Sequence, residues 1–72
     1  MAKREPTARL TVIKNGHELW NIYKIRNGTL ATLEFDAEWW IYDNGAAYAR
    51  IDIWDEGLND WGVYKEYTKE NR

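Results

Sequence analysis

Short runs of apolar and β-branched residues, cut by Asn-Gly pairs, set the pattern of this chain. Residues 8–14, Ala-Arg-Leu-Thr-Val-Ile-Lys, are β-rich in type, and Asn15-Gly16 follows them. Asn-Gly between two such runs is the strongest short-range hairpin signal, because both central turn positions need φ > 0. Residues 17–26 then read as a returning strand, Asn27-Gly28 repeats the signal, and 29–35 read as a third strand. Asp36-Ala37 is a weaker turn into a fourth strand over 38–43. Asn44-Gly45 leads into a fifth over 46–54, and the loop 55–59 into a sixth over 60–67.

Two-residue turns fix a register. Trp20 falls opposite Phe35, Ile22 opposite Leu33, Leu33 opposite Trp40, Ala31 opposite Tyr42, and Trp40 and Tyr42 opposite Ala49 and Ala47. Directly opposed residues share a face. One apolar face therefore collects these residues with Ile51, Ile53, Thr11 and Ile13. Trp39, Tyr48, Arg50, Asp52 and Trp54 point the other way, beside Leu10, Val12 and Tyr23. The hairpin 39–50 becomes the centre of the domain, its adjacent tryptophans serving opposite faces. The predicted fold class is all-β, an antiparallel meander of five to six short strands forming a strongly twisted sheet or small barrel. The alternative is α+β, a five-stranded antiparallel sheet with a short C-terminal helix. Asn59 or Asp60 would cap that helix, and Trp61, Tyr64 and Tyr67 or Thr68 recur near helical spacing.

With 72 residues the chain is one small domain, 1–72, with 1–7 and 69–72 expected to fray. A chain this short buries only about 60% of the surface its unfolded form exposes. It has no cysteine to staple it, so five Trp, five Tyr and one Phe supply the packing area. No apolar run reaches the length of a membrane span or a signal-peptide core, which predicts a soluble cytoplasmic protein.

The net charge of −2 conceals an asymmetry. Lys3, Arg4, Arg9, Lys14, Lys24 and Arg26 outweigh Glu5 and Glu18 before residue 29. Glu34, Asp36, Glu38, Asp43, Asp52, Asp55, Glu56 and Asp60 face only Arg50 between 29 and 62. Such segregation points to a charged partner or to cross-strand pairing within one sheet.

Catalytic chemistry has little to build on. There is neither Cys nor Ser, and the single His17 lies beside a turn. Asp52, Asp55, Glu56 and Asp60 crowd one loop, but their spacing does not match an EF-hand calcium loop. No enzyme activity, cofactor or metal is therefore expected. Nucleic-acid binding through the basic N-terminal strands is a second reading, weakened because the cations are separated from Trp39, Tyr48 and Trp54. The leading expectation is a small non-enzymatic binding or inhibitor protein that presents an acidic, aromatic face to a basic protein surface. That surface would suit a nucleic-acid-handling partner. In size and character, though in no motif, such a chain looks like the small inhibitors made by bacterial viruses. The expected partner-binding residues are Glu34, Trp39, Asp43, Tyr48, Asp52, Trp54 and Asp55. A homodimer through an exposed edge strand is a third reading.

Overall fold

The computed structural model describes residues 6–69. Strand β1 (Thr7–Lys14) turns at Asn15-Gly16 into β2 (His17–Lys24). Both turn residues have positive φ, 54° and 78°, as a two-residue hairpin of this hand requires. The register is the one the turn predicts, with Thr11 opposite Trp20 and Ile13 opposite Glu18. Helix α1 (Thr29–Glu38) follows and runs without a break into a π-helical turn, Trp39–Asp43. Strands β3 (Tyr48–Asp55) and β4 (Asp60–Thr68) complete an antiparallel sheet of order β2-β1-β3-β4.

The small β-rich antiparallel fold is as expected, but its interior differs from the meander. Among the described residues there are four strands rather than five to six. They form an open sheet, one of the two expected forms, and not a barrel. A helix stands mid-chain, where the meander has none and the α+β alternative places its helix at the C-terminus instead. Residues 60–67 form strand, as the meander expects, and not the helix of the alternative. The expected strands 29–35 and 38–43 are instead α1 and its π turn. The reason lies in a second periodicity. Leu30, Leu33, Ala37 and Ile41 recur at three- and four-residue spacing, and the run is rich in Leu, Ala and Glu, which are strong helix formers. Leu33, Ala37 and Ile41 are all buried.

The other two Asn-Gly pairs therefore do different work. Gly28 (φ 82°) stands at the start of α1, where the Thr32 N–H donates to its carbonyl at 3.0 Å. Gly45 (φ 74°) stops the π turn, and the Ala46 N–H reaches back to the Trp40 carbonyl at 2.8 Å. A positive φ is needed at each pair, but only the first joins two strands.

Because β2 and β3 both run antiparallel to β1, they are parallel to each other, and a tight turn cannot link them. The helix makes that crossover and packs on β1 and β3. Under it lie Ala8, Leu10, Val12, Ala49, Ile51 and Tyr67, with Tyr23, Ile25, Leu30, Trp40 and Ile53 at the margin. The single apolar face expected from the turns is thus divided. Ala49, Ile51 and Ile53 oppose Val12, Leu10 and Ala8 beneath the helix, whereas Thr11, Ile13, Trp20 and Ile22 lie on the open face. Of the residues expected to fray, Thr7 pairs with Lys24 inside β1, Pro6 and Lys69 are described outside the strands, and 1–5 and 70–72 lie outside the described residues.

Candidate protein-interaction surface

The structure splits the expected binding residues between two surfaces. On the helix layer, Phe35, Trp39 and Tyr42 stand at i, i+4 and i+7, opposite the buried stripe. They are 73%, 50% and 42% exposed. With Asp36, Glu38 and Asp43 they line an open groove of about 720 Å³. Glu34 lies one turn earlier and shares a smaller hollow with Ala31, Phe35 and Glu38. The Tyr64 hydroxyl donates to Glu34 Oε2 at 2.8 Å, which ties the acidic helix to β4 and raises the tyrosine's pKa. No Lys or Arg occurs between Arg26 and Arg50, so the helix and its π turn contribute carboxylates and no cation of their own to this aromatic face. Trp39 and Trp40 diverge here as adjacent helical residues do, at the start of a π turn, and such turns are frequent at functional positions.

Tyr48, Asp52 and Trp54 lie on the other side of the sheet. Asp52 is only 2% exposed. Its Oδ2 accepts from Arg9 Nη2 at 3.2 Å and from Arg50 Nε at 3.0 Å, so its charge is spent inside the protein. Trp54 meets Trp61 edge to face at 5.3 Å, and the Arg9 guanidinium sits 4.6 Å from the Trp61 ring centre. The Tyr48 hydroxyl donates to Glu66 Oε2 at 2.7 Å; burial first, and then this bond, raise its pKa. Asp55 accepts from the backbone N–H groups of Gly57 and Leu58 at 2.9 and 3.3 Å, which makes it a turn-former.

Of the seven expected residues, Trp39 and Asp43 share the groove and Glu34 adjoins it. Tyr48, Asp52 and Trp54 form a neutralised patch on the far face, and Asp55 shapes the β3–β4 turn. Phe35, Asp36, Glu38 and Tyr42 were missed; helical spacing along 35–42 was the signal that could have found them. The basic residues invoked for nucleic-acid binding are partly engaged. Arg9 is held by Asp52 and Trp61, and Lys14 Nζ lies 3.4 Å from Asn44 Oδ1 and 5.9 Å from the centre of the Trp40 ring.

His17 is exposed beside the hairpin turn. Among the described residues no three of His, Asp and Glu converge as metal ligands, and no helix is long and apolar enough to cross a membrane. Comparison with protein-family models, with curated proteins and with solved structures finds no match.

Proposed function

We propose that this protein is a non-enzymatic binding protein whose acidic, aromatic helix face docks on a basic surface of another protein and occludes it. The observation that carries this reading is the juxtaposition of exposed Phe35, Trp39 and Tyr42 with Asp36, Glu38 and Asp43 around one groove. Exposed aromatic rings supply the desolvated anchors that dominate interface energies. Carboxylates of one sign around them steer approach and favour a cationic partner. A surface that ordinarily receives phosphates has that character, so a nucleic-acid-handling protein is the partner class of choice.

The test is affinity capture with the full chain at about 0.05 M and about 0.5 M salt, where screening differs strongly. Wild type should retain a basic protein at low salt and release it at high salt. Phe35→Ala with Trp39→Ala should not retain it, while Trp54→Ala should. Capture that survives the helix-face changes, or that Trp54→Ala abolishes, would place binding elsewhere.

A further inference from the structure

We infer that β2 is a dimerisation edge that pairs antiparallel with β2 of a second copy, on a two-fold axis through Asn21. Two edges bound the four-stranded sheet, and they differ. Strand β4 carries a bulge, with Tyr64 as the extra residue between the Ile51–Lys65 and Asp52–Val63 pairs. Strand β2 has no bulge and no proline, and its charged guards, Glu18 and Lys24, stand only towards its two ends. Leu19, Trp20 and Ile22 are each about half exposed, on both faces of the strand.

The free ladder can be placed. Residues flanking a two-residue hairpin turn form a hydrogen-bonded pair, so Lys14 and His17 bond to each other. The Ile25 N–H continues that ladder to the Pro6 carbonyl at 2.8 Å. The odd-numbered residues of β2 therefore bond inward, and Glu18, Trp20 and Ile22 direct their N–H and C=O groups outward.

A closed two-fold pairing has to keep like faces together, which restricts the axis to a residue rather than a gap between residues. With the axis at Asn21, Trp20 faces Ile22 of the partner on the open side. Leu19 faces the partner's Tyr23 on the helix side, and Glu18 faces the partner's Lys24. Every apolar residue of the strand meets an apolar one, and the opposite charges at its two ends meet each other. Shifting the axis to Trp20 would put Glu18 against Ile22, and shifting it to Ile22 would put Trp20 against Lys24. The helix packs on β1 and β3 and meets β2 at its end, where the Thr29 hydroxyl donates to the Lys24 carbonyl at 3.4 Å. The pairing therefore rests on the outward groups of Glu18, Trp20 and Ile22. The product is a continuous eight-stranded sheet with both helices on one side and the acidic grooves away from the seam.

Sedimentation equilibrium on the full chain tests the inference. Mass should rise from monomer to dimer with concentration. Glu18→Lys alone and Lys24→Glu alone should each weaken the dimer about tenfold, because each sets two like-charge pairs across the axis. The double variant should recover to within about threefold of wild type. Independently, Asn21→Cys in this cysteine-free chain should oxidise to a disulfide dimer. The two Asn21 positions form a non-hydrogen-bonded pair about 4.5 Å apart at Cα, within disulfide reach. Leu58→Cys, on the β3–β4 turn, should not cross-link at a comparable rate. A protein that stays monomeric up to about 1 mM overturns the inference. So does a dimer that ignores the charge exchange, or one that leaves the Asn21→Cys thiols reduced.

Discussion

Trp39 and Trp40 meet edge to face, with ring centroids 5.1 Å apart and planes at 72°. One ring is half exposed over the acidic groove; the other packs against the core near Lys14. Their contact couples the proposed binding surface to the interior. Trp40→Ala should destabilise the domain by about 3 kcal/mol, the cost of removing a large ring from a packed site. Trp39→Ala should lose only the edge-to-face contact, about 1 kcal/mol, while weakening partner binding about 30-fold as a hot-spot residue would. Urea denaturation of each variant, set beside its capture behaviour, separates the two roles.

Asp52 is the electrostatic keystone of the open sheet face. One buried oxygen receives both Arg9 and Arg50, whose side chains remain about one quarter exposed. Asp52→Ala would leave two guanidinium groups facing each other across a void. A loss of about 2–4 kcal/mol is expected, with the lower end favoured because water can reach the arginines. Arg9→Ala should cost less, since Arg50 still holds the carboxylate. Midpoints of chemical denaturation in the two variants should fall in that order.

Legibility in the sequence followed local determinism. The turn and register of the first hairpin were readable, because Asn15-Gly16 dictates its turn and the turn dictates register, although β1 starts one residue earlier and β2 ends two residues sooner than the pattern suggests. The last two strands were readable too, as alternating segments around a polar loop. Residues 29–43 were not. Their alternation is compatible with a strand, and Asn27-Gly28 and Asn44-Gly45 reinforced that choice, although a positive φ serves helix ends as well as hairpins. The opposite environments of Trp39 and Trp40 nevertheless emerged from the wrong element, because adjacent residues diverge by about 100° on a helix as well as by 180° on a strand. Tyr48, Asp52 and Trp54 were correctly grouped on one face of a strand, but only the cross-strand approach of Arg9 reveals that Asp52 is neutralised.

The helix can be distinguished from a strand by a single pair of positions. Ala31 and Ala37 would both be tolerant or both intolerant if size alone mattered. In α1, Ala31 is exposed and Ala37 is fully buried beneath the helix. Ala31→Lys should change stability by no more than about 0.5 kcal/mol. Ala37→Lys should prevent folding, because a cation would be driven into the core. Ala31→Gly should cost about 1 kcal/mol through helix propensity alone. Circular dichroism during thermal unfolding reads all three.

Tyr67 sets an alkaline limit on the fold. Its ring is buried opposite Ala49, and its hydroxyl finds no hydrogen-bond partner among the described residues. Burial, and then the nearby Glu34 and Glu38 carboxylates, push its pKa up to about 12 from the usual 10.0. The folded state therefore holds this proton more tightly than the unfolded state does. The associated stability is fully present below pH 10, declines as pH rises through the interval, and is gone above about 12. Tyr67→Phe removes both the titration and the orphaned hydroxyl. It should raise stability at neutral pH by about 1 kcal/mol, the cost of a buried unsatisfied polar group. It should also flatten the fall in denaturation midpoint between pH 10 and 12. Tyr64→Phe, whose exposed hydroxyl is bonded to Glu34, should show no gain at neutral pH. Equal responses from the two variants would mean that the Tyr67 hydroxyl reaches solvent and that burial is not what holds its proton.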